Sequence, residues 1–371
     1  MYNKTHKPAI KRKLIFTILL IVIPLLYTKV NAQIDSGKFE YQTITIEGNS
    51  IKEADESIKE FVIDKFPIIS KKLVEFIVDT RSVQKIQYSD STESSKIIAY
   101  NVNYKVPHNF LLDTAKILWE LNVPEFRSHL YQLYKKDTIY IDTWPNVVGK
   151  ATDKTYTGHF EAYRVRNWPS WKDPEKGKES LPATPPGPKN PLGLFVVHYD
   201  ENSLRYFHGT NKNHLLYTKM RNLSHGCVRN DNDNIAKMKE FIIKRVIKSE
   251  DLSSWMGSKR SMTFEFADID RFPVRIIYKT FMVNKDENGP YIELYQDIYN
   301  YKNSRNIDTK WNEEDLITLT SEENIIAEYK KNISTNFNEE QLKKAVRYII
   351  GKGDYYEKYY FKDIDAELVG N

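Results

Sequence analysis

The sequence predicts an α+β protein in which a β-rich unit follows a mixed α/β region and precedes a helical tail. Three observations support this class. Strand-like and helical patterns mix in residues 33–134, short apolar runs separated by turn signals fill residues 135–300, and residues 301–371 carry helical periodicity. The chain of 371 residues has no internal repeat and is long enough for two packed units. We expect the β-rich unit to be built of mixed sheets or a sandwich.

Residues 1–32 have the pattern of a secretory signal peptide. A basic stretch from Lys4 to Lys13 precedes the apolar run 14–26, and Ala32 ends a plausible cleavage site. The run is shorter than the ~20 residues that cross a bilayer comfortably, and an uncleaved signal anchor remains the alternative. Either way we expect the rest of the chain to be exported, to the periplasm or cell envelope.

Export changes the meaning of the charge balance. The net charge of +5 includes six basic residues and no acidic ones from residues 1–32, so the remainder carries −1. A nearly neutral chain gives no electrostatic argument for binding nucleic acid or a membrane surface.

The N-terminal patterns alternate between strands and helices. We predict strands at 39–46 and 97–104, with amphipathic helices between 51 and 80 that break near Pro67. Further on, we predict a helix over 109–121 that ends before Pro124, a second short helix over 126–134, and a strand at 137–142.

Residues 150–191 differ in kind. They contain Trp168 and Trp171, followed by a stretch rich in proline and glycine at 181–191 that holds no regular helix or sheet. Long ordered loops in compact enzymes are often lids, so we interpret this segment as a possible capping loop. A plain surface connection is the alternative.

The following elements are predicted from periodicity and turn residues. We predict a buried strand at 192–199, and after a turn a short strand at 204–207 that delivers His208 at its end. A helix is predicted over 231–249. Strands follow at 262–266, 274–283 and, after the Asn288–Gly289 turn, 291–295. In the tail, Asn338 is a predicted helix cap, and one helical face is formed by Leu342, Ala345, Val346 and Ile349.

Cys227 is the only cysteine, so the chain cannot form an intramolecular disulfide. Composition alone would make it a buried, inert thiol, but its neighbours favour a nucleophile. A thiol with an ordinary pKa needs a nearby base or positive charge, and we predict His208 as the base. Since Gly209 offers no side-chain acceptor, a backbone carbonyl would hold the imidazole tautomer.

The residues around Cys227 suggest supporting roles. Gly226 permits unusual dihedrals, and backbone N–H groups near Gly226 and Cys227 are candidates for an oxyanion hole. Arg229 could bind a substrate carboxylate, or pair with the following helix. His225 would orient the loop or contact substrate, and Ser224 would either cap a turn or contact substrate.

A zinc site is the alternative use of these side chains. Its possible ligands would be His198, His208, His214, His225 and Cys227. However, His225 and Cys227 are closely spaced for one tetrahedral site, and the chain has no CxxC or HExxH motif. We therefore predict no metal and no cofactor.

The motif His208-Gly209-Thr210, followed by Ser224-His225-Gly226-Cys227-Val228-Arg229, resembles the signature of the YkuD-type L,D-transpeptidases of bacterial cell walls. Residues 187–193, 273–280 and 297–299 resemble flanking segments of the larger periplasmic members. The resemblance extends over about residues 137–300. It implies a β-rich catalytic domain at 135–300 with Cys227 as nucleophile and His208 as base.

The resemblance also implies a reaction. Cys227 would take the acyl group of a peptidoglycan tetrapeptide stem and pass it to the diamino acid of a second stem, giving a 3→3 cross-link, or would exchange the terminal D-amino acid. Gly209, Ser224, His225, Gly226 and Arg229 would line the substrate and oxyanion site. Carbapenem-type β-lactams are expected covalent inhibitors. Two alternatives stay open: an L,D-carboxypeptidase or endopeptidase that hydrolyses the same bond, and a non-catalytic wall-binding protein.

Overall fold

The computed structural model describes residues 36–89, 96–113, 116–173, 182–249, 251–333 and 338–364. The predicted signal peptide at 1–32 lies outside these residues. Within the described ranges, no helix is both long and apolar enough to cross a membrane. The chain divides into two compact units, which are described separately.

The first unit comprises the described residues of 37–65 and 71–108. Two helices pack on an antiparallel sheet of order β1-β3-β2 through apolar faces that include Ile58 and Ile77, both fully buried. The predicted strand, broken helix and strand are confirmed. The elements are β1 (Phe39–Glu47), α1 (Ile51–Lys65), α2 (Lys71–Asp79), β2 (Ser82–Ser89) and β3 (Lys96–Pro107).

The second unit comprises residues 66–70 and 109 onward, and a large mixed sheet dominates it. The order of its main path is β13-β8-β9-β10-β12-β6-β5-β4-β14-β17, with β11 beside β6 and β7 beside β14. The first nine strands of this unit are β4 (Ile117–Asn122), β5 (Arg127–Tyr134), β6 (Asp137–Gly149), β7 (Gly158–Ala162), β8 (Arg164–Asn167), β9 (Phe195–His198), β10 (Tyr206–His208), β11 (Asn222–Ser224) and β12 (Val228–Asn230).

The remaining helices and strands of this unit come after β12. They are α3 (Asn232–Phe241), α4 (Leu252–Gly257), β13 (Met262–Glu265), β14 (Phe272–Lys279), β15 (Phe281–Asp286), β16 (Gly289–Leu294), β17 (Ile317–Thr318), α5 (Glu322–Asn332), α6 (Glu339–Lys352) and β18 (Lys358–Tyr360). A π-helical turn, Ile242–Val246, extends α3.

The helices predicted at 109–121 and 126–134 are wrong. The chain forms β4 and β5 there, which pair antiparallel, and β5 pairs in turn with β6. All six residues of β4 are buried, including the polar Glu120 and Asn122, so burial does not alternate along this strand and leaves no period of two to detect. The predicted boundary between residues 134 and 135 falls inside this β5–β6 hairpin.

The C-terminal tail is helical but not wholly so. Asn338 caps α6 by accepting a hydrogen bond from the Glu340 N–H at 2.9 Å, as predicted. The apolar face of α6 packs with α5 against a three-stranded sheet of order β15-β16-β18. The predicted single strand at 274–283 is divided at Thr280 between β14, in the large sheet, and β15, in this small one.

Candidate active site

Two short parallel strands carry the predicted site residues. In the pairing of β10 with β12, Phe207 is opposite Val228 and His208 is opposite Arg229. Because side chains alternate between the faces of a strand, His208 and Arg229 share one face. Cys227 immediately precedes β12 and lies level with Tyr206, the first residue of β10.

The buried face of β10 fixes this orientation. Phe207 is completely buried and stacks on Trp119, with ring centroids 3.9 Å apart and an angle of 9°. Trp119 in turn meets Trp144 edge to face at 5.7 Å. Since a reversal of β10 would expose Phe207, aromatic packing in the core holds His208 on the opposite face.

His208 is a neutral imidazole near neutral pH. Burial and the positive charge of Arg229 lower its pKa to about 3, against the stabilising carbonyls of Gly209 and Leu192. Its Nδ1–H donates to the Gly209 carbonyl oxygen at 2.5 Å. A proton held on Nδ1 leaves Nε2 as the basic nitrogen, which is the tautomer a general base needs.

The Cys227 thiol is half-buried, and its Sγ donates to the Leu204 carbonyl at 3.7 Å. Burial raises the pKa of this thiol, while hydrogen bonds from the backbone and side chain of Tyr206 and the charges of Arg205 and Arg229 oppose the increase. Among the described residues, no hydrogen bond joins His208 to Cys227. The unliganded site therefore holds a neutral thiol beside a neutral imidazole.

Tyr206 and Arg205 are site residues that the sequence analysis missed. The Tyr206 side chain hydrogen-bonds the thiol, and its ring packs against His208 at 5.7 Å. Arg205 lies 4.1 Å over the ring of Tyr156, and its Nε donates to the Lys154 carbonyl at 2.7 Å. The alternation of β10 could have identified Tyr206, because residues two apart in a strand share a face.

The turn before Cys227 depends on Gly226. Its φ is +99°, and a Cβ there would come within 2.6 Å of the Arg205 guanidinium. The Gly226 N–H donates to Ser224 Oγ at 3.2 Å, and that hydroxyl donates to the Cys227 carbonyl at 2.5 Å. Both bonds of Ser224 stay within the turn, which favours the capping role. They also occupy the Gly226 N–H, so the Cys227 N–H is the better oxyanion donor.

Arg229 and His225 differ in their surroundings. No carboxylate among the described residues pairs with Arg229, whose pKa is lowered by burial and raised by Cys227. The alternative of an ion pair with the following helix therefore has no support in the described part of the chain. His225 is exposed on the turn.

Side-chain amides hold the two motifs together. Asn232 clamps Thr210, accepting from its N–H at 3.0 Å and donating to its carbonyl at 2.7 Å. Gly209 is needed beside this clamp, since a Cβ there would lie 2.5 Å from Asn232 Oδ1. Asn230 joins β6 to the site by accepting from Asn146 at 2.8 Å and donating to the His208 carbonyl at 3.4 Å. No local pattern in the sequence indicates the roles of these amides.

The segment 150–191 was predicted as a single loop, but the structure divides it. It contains β7 and β8, two strands too short for their alternation to stand out. In its described remainder, Trp171 and Thr184 form a backbone bridge. Asn190, fully buried, donates to the carbonyls of Pro169, Thr184 and Pro185 and so fastens the base of the segment.

The histidines considered for zinc are placed differently from one another. Among the residues that the structure describes, no three His, Cys, Asp or Glu side chains gather where they could hold a metal ion. His198 lies on β9, where burial and the charges of Arg164 and Arg166 lower its pKa to about 3. His214 lies in the short 3-10 turn Asn213–Tyr217.

Residues 122–247 match the family model described as YkuD, the L,D-transpeptidase catalytic domain. A curated relative, the probable L,D-transpeptidase ErfK/SrfK of Escherichia coli, is 31% identical over 35% of this chain and 43% of its own length. The protein of the same name from Salmonella typhimurium is 28% identical over 49% of this chain and 64% of its own. The chain thus spans about half the length of the curated relatives it matches.

Solved structures with similar chain traces include an L,D-transpeptidase from Mycobacterium smegmatis, which covers 64% of this chain and 91% of its own, at 10% identity and a TM-score of 0.27. The helical cell shape determining protein Pgp2 from Campylobacter jejuni covers 44% and 47%, at 10% identity and a TM-score of 0.26.

Proposed function

We propose, from the premise that residues 122–247 are a YkuD-type L,D-transpeptidase catalytic domain, that this chain is a peptidoglycan L,D-transpeptidase with Cys227 as its acyl-accepting nucleophile. The observation that carries the proposal is the pairing of β10 with β12 inside that domain, which brings His208, Arg229 and the turn of Cys227 to one face. Export to the periplasm or cell envelope, where the substrate is found, belongs to the same proposal.

The first half-reaction would form a thioester. The Cys227 thiol gives its proton to His208 Nε2, and Sγ attacks the carbonyl that links the L-centre of the diamino acid to the terminal D-alanine. The C–N bond breaks, and His208 returns the proton to the departing amine. The Cys227 N–H donates to the oxyanion that develops in between.

The second half-reaction would release the acyl group. The side-chain amine of a second stem attacks the thioester, the C–S bond breaks, and the amine's proton returns to the thiolate through His208. The product is a 3→3 cross-link between stems, or an exchanged terminus when a free D-amino acid is the acceptor. A thioester conserves the energy of the cleaved bond, so no cofactor is required.

Two arginines and a tyrosine support these roles electrostatically. Arg205 and Arg229 both favour the thiolate, and Tyr206 donates to it. Arg229, without a carboxylate partner in the described chain, is the candidate for holding an acidic group of the tetrapeptide donor. A carbapenem would acylate the same sulfur, because its strained amide presents the same electrophile.

The test is incubation of residues 33–371 with disaccharide-tetrapeptides, followed by mass spectrometry. Transfer predicts a cross-linked dimer, and the Cys227→Ala variant should form neither product nor a carbapenem adduct. Free tripeptide without dimer would replace the proposal by hydrolysis. Binding without turnover by the unaltered chain would indicate a wall-binding protein. Activity retained by Cys227→Ala would refute the nucleophile assignment.

A further inference from the structure

A cavity of about 650 Å³ lies within the second unit and shares no lining residue with the Cys227 site. Strand β5 alternates buried residues with partly exposed ones, and the partly exposed Arg127, His129 and Tyr131 line the cavity. The opposite wall comes from the small sheet and from α5, with Glu293 and Asn332 among its residues. Its volume falls in the range of about 300–1,000 Å³ found for ligand pockets.

The lining is polar where two packed layers would normally bury apolar side chains. Glu125 and Glu293 are almost completely buried, at 1% and 4% side-chain exposure. Burial of charged groups costs free energy even when they are paired. A cavity that retains such groups together with tyrosines is a candidate binding site rather than a packing defect.

Each charged side chain that lines this cavity lies beside at least one opposite charge. Despite burial, His129 and Arg127 lower the pKa of Glu125, and Glu125 raises the pKa of His129, so each favours the charged form of the other. The ion pairs of the lining residues are Glu125–His129 at 3.0 Å, Glu125–Arg127 at 3.5 Å, Glu293–Arg127 at 3.4 Å, Lys358–Asp286 at 2.8 Å, and the closer pairs Glu120–Arg275 and Glu328–Lys279. With every lining charge matched, the cavity offers no excess charge to a free carboxylate or ammonium group. It therefore suits a neutral ligand.

The uncharged surface indicates which neutral ligand. Tyr131 and Tyr140 meet edge to face at 6.3 Å, and Phe281 and Tyr291 add further aromatic surface. In the described chain, the hydrogen bonds of Arg127 use only Nη1, which leaves Nε and Nη2 as donors. Aromatic faces pack against the C–H faces of sugar rings, while guanidinium and phenol groups exchange hydrogen bonds with hydroxyls.

We propose that this cavity binds a neutral saccharide, with Tyr131 stacking on a sugar ring and Arg127 donating to its hydroxyls. That a saccharide binds here is inferred from the lining of the cavity alone. Only the choice of the wall glycan as the natural saccharide rests on the proposed function. A glycan site apart from Cys227 would hold the enzyme on a strand whose stem peptides it processes.

The experiment uses residues 33–371 with Cys227→Ala, so that turnover cannot contribute, and titrates N-acetylglucosamine tetramer and maltotetraose by calorimetry. We expect binding of the N-acetylated tetramer, weakened about tenfold by Tyr131→Ala. Tyr134→Ala, on the same strand but outside the lining, should bind as the parent does. Because the ligand is neutral, affinity should change less than about twofold between 50 and 500 mM salt.

Each result decides between sources or against the proposal. Binding of the N-acetylated tetramer alone supports a wall-glycan site, and binding of both sugars supports a general saccharide site. No binding of either sugar overturns the proposal. If Tyr131→Ala unfolds, Asn332→Trp at the exposed end of α5 places bulk in the cavity and should abolish binding. Failure here would leave the product assay with the unaltered chain unaffected.

Discussion

Replacing Tyr206 with phenylalanine should slow the reaction of Cys227 with iodoacetamide about three- to fourfold at pH 7. A hydrogen bond to a charged acceptor contributes ~1.5–3 kcal/mol. Since Cys227 is only half-buried, we take the low end, which reduces the thiolate population about tenfold. The thiolate that remains has a higher pKa and is therefore a better nucleophile. With a Brønsted slope of ~0.4–0.5, its rate constant for alkylation rises about threefold, which offsets part of the loss. The net loss is the ratio of the two effects.

The assay is clean because Cys227 is the only cysteine. Alkylation rates are measured from pH 6 to 9, and the deficit of Tyr206→Phe should be constant across this range, because burial raises the pKa of the thiol above its ordinary value. Tyr156→Phe is the matched control, because it keeps the ring under Arg205 and removes a hydroxyl that does not contact the thiol. Equal or faster alkylation of Tyr206→Phe at pH 7 would refute the role of this hydrogen bond.

Two further predictions concern the neighbours of the site. Arg229→Gln should raise the pKa of His208 from about 3, because a positive neighbour disfavours imidazolium; NMR titration of the imidazole measures this, and an unchanged or lower pKa would contradict it. Asn230→Ala should lower the free energy of unfolding by about 1 kcal/mol in urea denaturation, because buried Asn146 loses its 2.8 Å acceptor and its Nδ2 keeps only the longer bond to the Arg229 carbonyl, at 3.3 Å. The exposed Asn211→Ala should change it by less than about 0.5 kcal/mol.

The family and much of the fold could be predicted because both are recorded locally in the sequence. The motif from Ser224 to Arg229 resembles that of the YkuD-type L,D-transpeptidases, and residues 122–247, which contain it, match the model of that catalytic domain. Regular periodicity likewise predicted α1, α2 and the α6 face with its Asn338 cap. These signals depend on spacing within a few residues, so one sequence suffices to detect them.

The errors lie where tertiary context decides. Strand β4 was predicted as a helix because all six of its residues are buried, which removes the alternation that marks a strand. Strand β5 does alternate in burial, but it buries Ser128 and Gln132 and leaves Tyr131 partly exposed, so the alternation does not show in the polarity of its sequence. Asn146 and Asn230 are far apart in the chain, and their hydrogen bond exists only because β6 and β12 become neighbours. Tyr206 could have been predicted as a site residue, because strand alternation puts it on the same face as His208.

The charges of the site suggest how substrate could start the reaction. Burial disfavours both thiolate and imidazolium, and the two arginines favour the first but oppose the second. Without a bound substrate, a thiolate–imidazolium pair is therefore disfavoured chiefly because protonation of His208 is unfavourable. A donor carboxylate that binds Arg229 would neutralise the charge that lowers the pKa of His208. His208 would become a stronger base when the acidic group of the donor is in place, so proton transfer from Cys227 would follow binding. The Arg229→Gln variant should partly mimic the liganded site, because its His208 would be more basic, although the variant would bind the donor more weakly.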